Sequence, residues 1–329
     1  MSAQGRVVKQ LDHVVARVDD ARSLFSTLTE TLGLPVAWPL ASYPAFESGG
    51  VALGNLYLEI MRCGPRREPS GKGRLCAVAF ESPGIERTVE ELSKRGVPRT
   101  PVAPYVERGE GGARAHLWSN VVLGGLLGRD LLLDATILLS RVPGAAKLSD
   151  AGAGGWFNRM QLDSLMRRNL VFLVEFYYEN FGERPFWSEH GDHDDKRARD
   201  LARLRARGGG ALGLERVREV VAGVRDFARA REMWAKLYAP ATEVSEGVWE
   251  IEDGPALRLK ESDTNSIQSL ALEVSSLERA ETALRERGMI GTVTDEEITI
   301  NPANIEGLLV RLVQEKAVVN EGSRRYQVD

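Results

Sequence analysis

Cysteine is nearly absent from this chain: among 329 residues only Cys63 and Cys76 occur. Two isolated thiols build neither a disulfide framework nor a CxxC metal motif, so a reducing, cytoplasmic setting is expected. Long apolar runs are missing too. No segment approaches the about 18 consecutive apolar residues of a spanning helix, and the stretch from Met1 to Gln10 has no signal-type apolar core. A surplus of positive charge is also lacking, with 43 Lys and Arg against 47 Asp and Glu and a net charge of -4. Nucleic acid, which demands a basic face to displace phosphate counterions, is therefore not an expected partner. There is no GxGxxG after a strand, no GxxxxGK[ST] loop and no GxSxG elbow, which removes the usual signatures of nucleotide-phosphate and serine-hydrolase chemistry.

What remains is a soluble globular composition, 43% hydrophobic and 27% charged, over a length suited to two domains. It also contains an internal repeat. The ten residues from Leu11 to Asp20 align without gaps on those from Val217 to Asp226, with half of the positions identical. A second pair runs from Ala77 to Gly96 and from Ser269 to Gly288, sharing the Glu-Arg pairs Glu86-Arg87 and Glu278-Arg279. Repetition at this scale decides architecture before any local reading does.

Each copy opens with a short apolar strand, turns, and continues as an amphipathic helix closed by a breaker. The first helix is expected from about Asp20 to Thr31 with Leu24, Leu28 and Leu32 as its buried stripe, and Gly96 caps the second. Extended segments separated by turns follow: Phe46 to Ser48, Val51 to Leu53 and Leu56 to Met61 in the first copy; Val248 to Ile251 and Ala256 to Lys260 in the third; Glu297 to Ile300 and Leu308 to Val313 in the fourth. The second copy is interrupted between the Ala115 to Val122 strand and the Val171 to Tyr178 strand. The insertion, about 126–169, contains Leu131 to Leu139, a Gly152 to Gly155 turn and Trp156-Phe157. It is either a peripheral embellishment or a lid over a pocket.

These features predict an α+β fold of four βαβββ modules in two tandem, mostly antiparallel sheet domains, which the resemblance given below implies are cupped. The first domain spans 8–182. A charged linker helix follows at 183–211, then a second domain at 212–316 and a tail at 317–329. In the linker, Lys196, Arg197 and Arg199 alternate with Asp194, Asp195 and Asp200, a mixture expected of a solvated helix face, and His190 and His193 are read as part of it.

Paired modules that open with Leu11-Asp12-His13-Val14-Val15 and close with Tyr57-Leu58-Glu59-Ile60 resemble the glyoxalase, or vicinal oxygen chelate, superfamily. The resemblance covers nearly the whole chain apart from insertion and linker. It implies a cupped sheet around one divalent metal, with ligands on the first and last strands of each module. By position these are His13, Glu59, Ala77 and Glu175 in the first domain, and Glu219, Arg258, Ser269 and Arg311 in the second. His13, Glu59 and Glu175 are competent ligands for Fe, Mn, Zn, Ni or Mg, whereas Ala77 offers none. Carboxylates inside apolar strands are costly unless paired, exposed or bound to a cation. Glu59 and Glu175 are the acid/base candidates. His116 is the substitute ligand; it alternates with Trp118 and Asn120 onto one face of its strand, and these three with Tyr177 line the substrate pocket. The second domain, with two arginines around a glutamate, is expected to hold a salt-bridge cluster or an anion, and to serve as scaffold or homodimer surface.

The resemblance implies a metal-dependent lyase, isomerase or dioxygenase acting on a small oxygenated molecule. The alternative is a non-catalytic protein that sequesters a hydrophobic or aromatic small molecule, in which no metal need bind. The vacancy at Ala77 and the aromatic residues Trp118, Trp156, Phe157, Tyr177 and Tyr178 favour that second class.

Overall fold

The computed structural model describes residues 5–43, 46–63, 72–108, 114–140, 168–181, 191–252 and 254–314. Trp156, Phe157, His190, the Gly152 to Gly155 turn and the 317–329 tail lie outside them. The first strand, β1 (Gln10–Arg17), ends where Asp20 accepts the backbone N–H groups of Arg22 and Ser23 and so caps helix α1 (Ala21–Ser26). The helix continues as a π turn over Thr27–Thr31, and Leu24, Leu28 and Leu32 are all buried, as their spacing predicts. Strands β2 (Val36–Ser42), β3 (Phe46–Ala52) and β4 (Tyr57–Cys63) complete the first module.

The second module repeats this plan with β5 (Arg74–Glu81), α2 (Ile85–Lys94), β6 (Ala103–Arg108), β7 (Arg114–Leu123) and β8 (Leu170–Phe176). Helix α2 ends at Gly96, whose φ of +68 is the left-handed conformation a helix stop favours. Between β7 and β8 lies helix α3 (Leu131–Ser140), and after β8 comes helix α4 (His193–Ala206).

The second half supplies β9 (Leu214–Val224), α5 (Phe227–Tyr238), β10 (Val248–Trp249), β11 (Ala256–Glu261), β12 (Ser266–Val274), α6 (Leu277–Glu286), β13 (Ile290–Val293), β14 (Glu297–Ile300) and β15 (Val310–Val313). Its first module has only two strands after the helix among the described residues.

Strand order in the first sheet is β2-β3-β4-β1-β5-β8-β7-β6, and in the second β10-β11-β9-β12-β15-β14-β13. Both sequences read the same way from the centre outward. Within a module the first and last strands run parallel, while the two first strands meet antiparallel at the sheet's middle. That central pairing carries an extra residue in each strand: Asp12 in β1 and Cys76 in β5, matched by Arg218 in β9 and Gln268 in β12. A bulge of this kind bends the strand and re-aims the side chains beside it.

The helix-bearing faces of the two curled sheets share one core. It contains Leu24, Leu92, Trp234 and Leu284 together with strand residues of both sheets. Phe80 meets Trp234 edge-on at 5.8 Å, and the Trp234 indole N–H donates to the Leu126 carbonyl. The Asn55 side chain and Val217 backbone exchange two hydrogen bonds across the same boundary. The opposite, concave face of the first sheet holds a smaller cluster of Val15, Met61, Cys76, Ala77 and Leu170, into which Leu133 and Ile137 of α3 insert. The start of the insertion therefore packs against the concave face. Cys76 is a core thiol, pushed up to about 12 by burial. Among the described residues no helix is long and apolar enough to cross a membrane.

Candidate metal centre

On the concave face of the first sheet, His13 and Glu59 come together. The His13 Nε2 lies 3.4 Å from Glu59 Oε2, an ion-pair contact when the imidazole is protonated, and the other Glu59 oxygen accepts the Ser48 hydroxyl at 2.5 Å. The His13 Nδ1 is 2.5 Å from Asp12 Oδ2. Neighbours in an ordinary strand point to opposite faces. Asp12 and His13 can meet because Asp12 is the extra residue of the bulge.

Register identifies the other two positions. Glu59 lies across from Val15, two residues after His13. Arg258 lies across from Val221, two after Glu219, and Arg311 across from Ala271, two after Ser269. By the same rule the fourth position of the first sheet is across from Ala79, two after Ala77, and the residue there is Phe172. Its ring stands 5.4 Å from the His13 imidazole.

Glu175, assigned to that position from sequence, is three residues further on and of opposite strand parity. It pairs with Ser119, shares a face with the core residues Val171 and Leu173, and accepts the Ile85 backbone N–H at 2.9 Å. Its carboxylate thus caps α2, where the helix dipole favours negative charge. The structure does not bring it to His13. His116 and Tyr177 go with Glu175: the His116 Nε2 is 2.8 Å from Ser119 Oγ, the His116 and Tyr177 rings are 4.4 Å apart, and the Tyr177 hydroxyl donates to Glu175 at 3.3 Å. The alternation expected of His116, Trp118 and Asn120 fails because Leu117 is an extra residue in β7.

Trp118 and Asn120 do stay on the concave side, across from Phe176 and Val174. Trp118 stacks on Tyr105 at 4.0 Å, and the Asn120 Oδ1 is buried without a hydrogen-bond partner among the described residues.

The linker helix departs most from expectation. His193, Lys196, Asp200 and Leu204 are buried, a face at i, i+3, i+7 and i+11 that is helical in period but mostly polar in composition. Lys196 is 1% exposed and Asp200 0%. Their charges meet at 2.6 Å, and the Lys196 ammonium sits 4.1 Å above the Tyr57 ring. A solvated face was predicted because mixed charge is usually wet; here the charges neutralise one another inside.

One turn earlier, His193 contacts Asp12 Oδ1 through Nε2 and the Tyr178 hydroxyl through Nδ1, with its ring stacked on Phe176 at 5.2 Å. Arg197 bridges Asp12 at 2.7 Å and Glu81 at 2.8 Å. Burial opposes ionisation of Asp12, yet the flanking imidazoles hold its carboxyl well below the usual carboxylate range. Burial pulls His13 down, but the Asp12 hydrogen bond and the Asp12 and Glu59 charges outweigh it and raise its pKa. Burial prevails at His193, whose pKa is lowered. A cleft of about 410 Å³ borders this cluster, lined by Lys9, Glu81, Phe176, Tyr178 and His193 among others.

Two groupings thus present ligands suited to a cation. Asp12, Glu81 and His193 offer three atoms all within 4.8 Å. Their oxygens, however, already take His193, His13, Arg197, Lys9 and Gln10. His13 and Glu59 are a pair, in which each has one atom turned to the other and one held from behind by Asp12 or Ser48. In the second sheet Glu219 accepts Arg258 at 2.6 Å and Arg311 at 2.8 Å, and Arg311 also reaches Glu297 at 2.8 Å. That cluster has its own cations.

No family model and no curated protein matches the chain. Among solved structures, an extradiol ring-cleaving dioxygenase from B. fuscum superposes with a TM-score of 0.52 at 11% identity, covering 99% of this chain and 77% of that one. The chain has the vicinal oxygen chelate fold. A variant of homoprotocatechuate 2,3-dioxygenase from B. fuscum shares that fold at a TM-score of 0.50 and 10% identity, over 99% of this chain and 77% of the other. A hypothetical protein from Staphylococcus aureus does so at 0.50 and 9%, over 92% and 98%. Likeness at these identities carries the architecture, and the chemistry has to come from the residues.

Proposed function

We propose that the first domain is a divalent-metal-dependent enzyme of the vicinal oxygen chelate type, acting on a small oxygenated substrate by lyase, isomerase or dioxygenase chemistry. The observation that carries this is the meeting of His13 Nε2 and Glu59 Oε2 at 3.4 Å on the concave face. Two acceptor atoms so close repel unless a proton or a metal cation lies between them. When bound, the metal would chelate neighbouring substrate oxygens and polarise a carbonyl. His13 and Glu59 would hold it. Water or substrate oxygen would complete the shell, since Ala77 and Phe172 supply no donor.

Glu59, tethered by Ser48, is the carboxylate suited to move a proton at the reacting centre. Trp118, Phe172 and Phe176 provide apolar surface, and the Asn120 Oδ1, which has no hydrogen-bond partner among the described residues, is an acceptor for a substrate hydroxyl. Glu175 has no part in this scheme.

Metal analysis of protein purified without added metal, and after soaking in Mn, Fe(II), Zn or Ni, tests the reading. Wild type and Glu219→Ala should retain metal while His13→Ala and Glu59→Ala lose it. Wild-type protein free of metal after soaking would refute it. One observation favours the second reading, a metal-free binder of an aromatic molecule: two of the four positions are Ala77 and Phe172, and the latter already packs its ring on His13.

A further inference from the structure

We propose that the linker helix α4 belongs to the first domain's site, with His193 a positioning residue that acts through Asp12 to aim His13 Nε2 at Glu59. This rests on His13 and Glu59 being the metal-binding pair. The geometry forms one chain of hydrogen bonds. Tyr178 and His193 meet at O–H and Nδ1, His193 and Asp12 at Nε2 and Oδ1, and Asp12 and His13 at Oδ2 and Nδ1.

The hydroxyl has one proton to give, and an ionised carboxylate can only accept. The Tyr178 O–H therefore donates to His193 Nδ1, which fixes the His193 proton on Nε2, and that N–H donates to Asp12. Asp12 accepts from His13 in turn, so the His13 proton stays on Nδ1 and its Nε2 lone pair is directed into the concave face. The Asp12 Oδ1 that accepts from His193 also accepts from Arg197, which prevents the carboxylate from turning away.

The helix is fastened where this requires. Asp192 caps its first turn by accepting the Asp195 N–H, and the buried Lys196–Asp200 pair anchors the next turn above Tyr57. The His193 ring is wedged between Phe176, at 5.2 Å, and Tyr57, at 6.1 Å. A passive tether between domains would need none of these contacts. They hold His193 against Asp12, the bulge residue next to His13.

Full-length wild type, His193→Ala, His193→Gln and Tyr178→Phe would be titrated with Co²⁺ alone, followed by visible absorption. The His13 imidazole nitrogens would be followed by NMR in the metal-free proteins, where the chain's four histidines keep assignment tractable. His193→Ala should weaken Co²⁺ binding about 10- to 100-fold, as loss of an outer partner does. Glutamine retains an N–H for Asp12, so His193→Gln should recover most of the affinity. Should His193→Ala not fold, Tyr178→Phe, which removes one oxygen, should still weaken binding and shift the His13 resonances.

Unchanged His13 resonances in His193→Ala or Tyr178→Phe would overturn the positioning role. So would glutamine being as poor as alanine, because filling the space is then all that matters. Shifted His13 resonances in protein whose wild type takes up no Co²⁺ would uphold the positioning role and overturn the metal reading.

Discussion

Replacing Asp200 by alanine leaves the Lys196 ammonium in a site where it is 1% exposed, under the body of the helix and above the Tyr57 ring. At 2.6 Å and an effective dielectric of about 20, the attraction that is lost amounts to about 6 kcal/mol before the desolvation of either group is counted. Breaking a buried pair by removing one partner costs about 3–5 kcal/mol net, because the remaining charge loses its nearest counter-ion. The reverse substitution is different. In Lys196→Met the Asp200 carboxylate keeps Arg203 as partner, and the methionine chain fills the volume of the lysine stem. Its cost should stay near the about 2 kcal/mol that a desolvated cation–π contact contributes. Equilibrium urea unfolding of both variants, followed by tryptophan fluorescence with Trp38 lying 5.8 Å from Lys196, measures the difference. If the two midpoints fall equally, or if Asp200→Ala unfolds at the wild-type midpoint, helix α4 is not held in the way described.

Glu175→Gln should lower stability by about 0.5–1 kcal/mol through loss of a charged cap on α2, and leave metal retention unchanged; loss of metal would place Glu175 in the site after all. For Glu219, burial works against ionisation, but Arg258 and Arg311 prevail and its pKa is lowered. A depressed carboxylate stabilises the fold above its unfolded pKa, and that contribution disappears as pH falls through the folded value. Wild type should therefore be more stable than Glu219→Gln at neutral pH, with the gap closing in acid; a gap independent of pH would refute the pairing.

The repeat and the helix stripe of Leu24, Leu28 and Leu32 were legible in the chain, because each depends on short-range period or on a motif aligned with its copy, while the meeting of His13 with Glu59 was what the family resemblance implied. Glu219, Arg258 and Arg311 were likewise recognisable as a charge cluster. Tertiary structure decided the rest. Phe172 rather than Glu175 faces His13 because the register of β5 with β8 is set across the insertion, and one step in a strand exchanges its faces. Bulges at Asp12 and Leu117 turned one pair of neighbours together and took His116 out of the expected row. His193 and Lys196 were hidden in a run of mixed charge. Hydrophobic period registers apolar burial alone, whereas that helix is buried by pairing its charges with Asp12, Glu81 and Asp200, and a partner distant in sequence is visible only once the chain has folded.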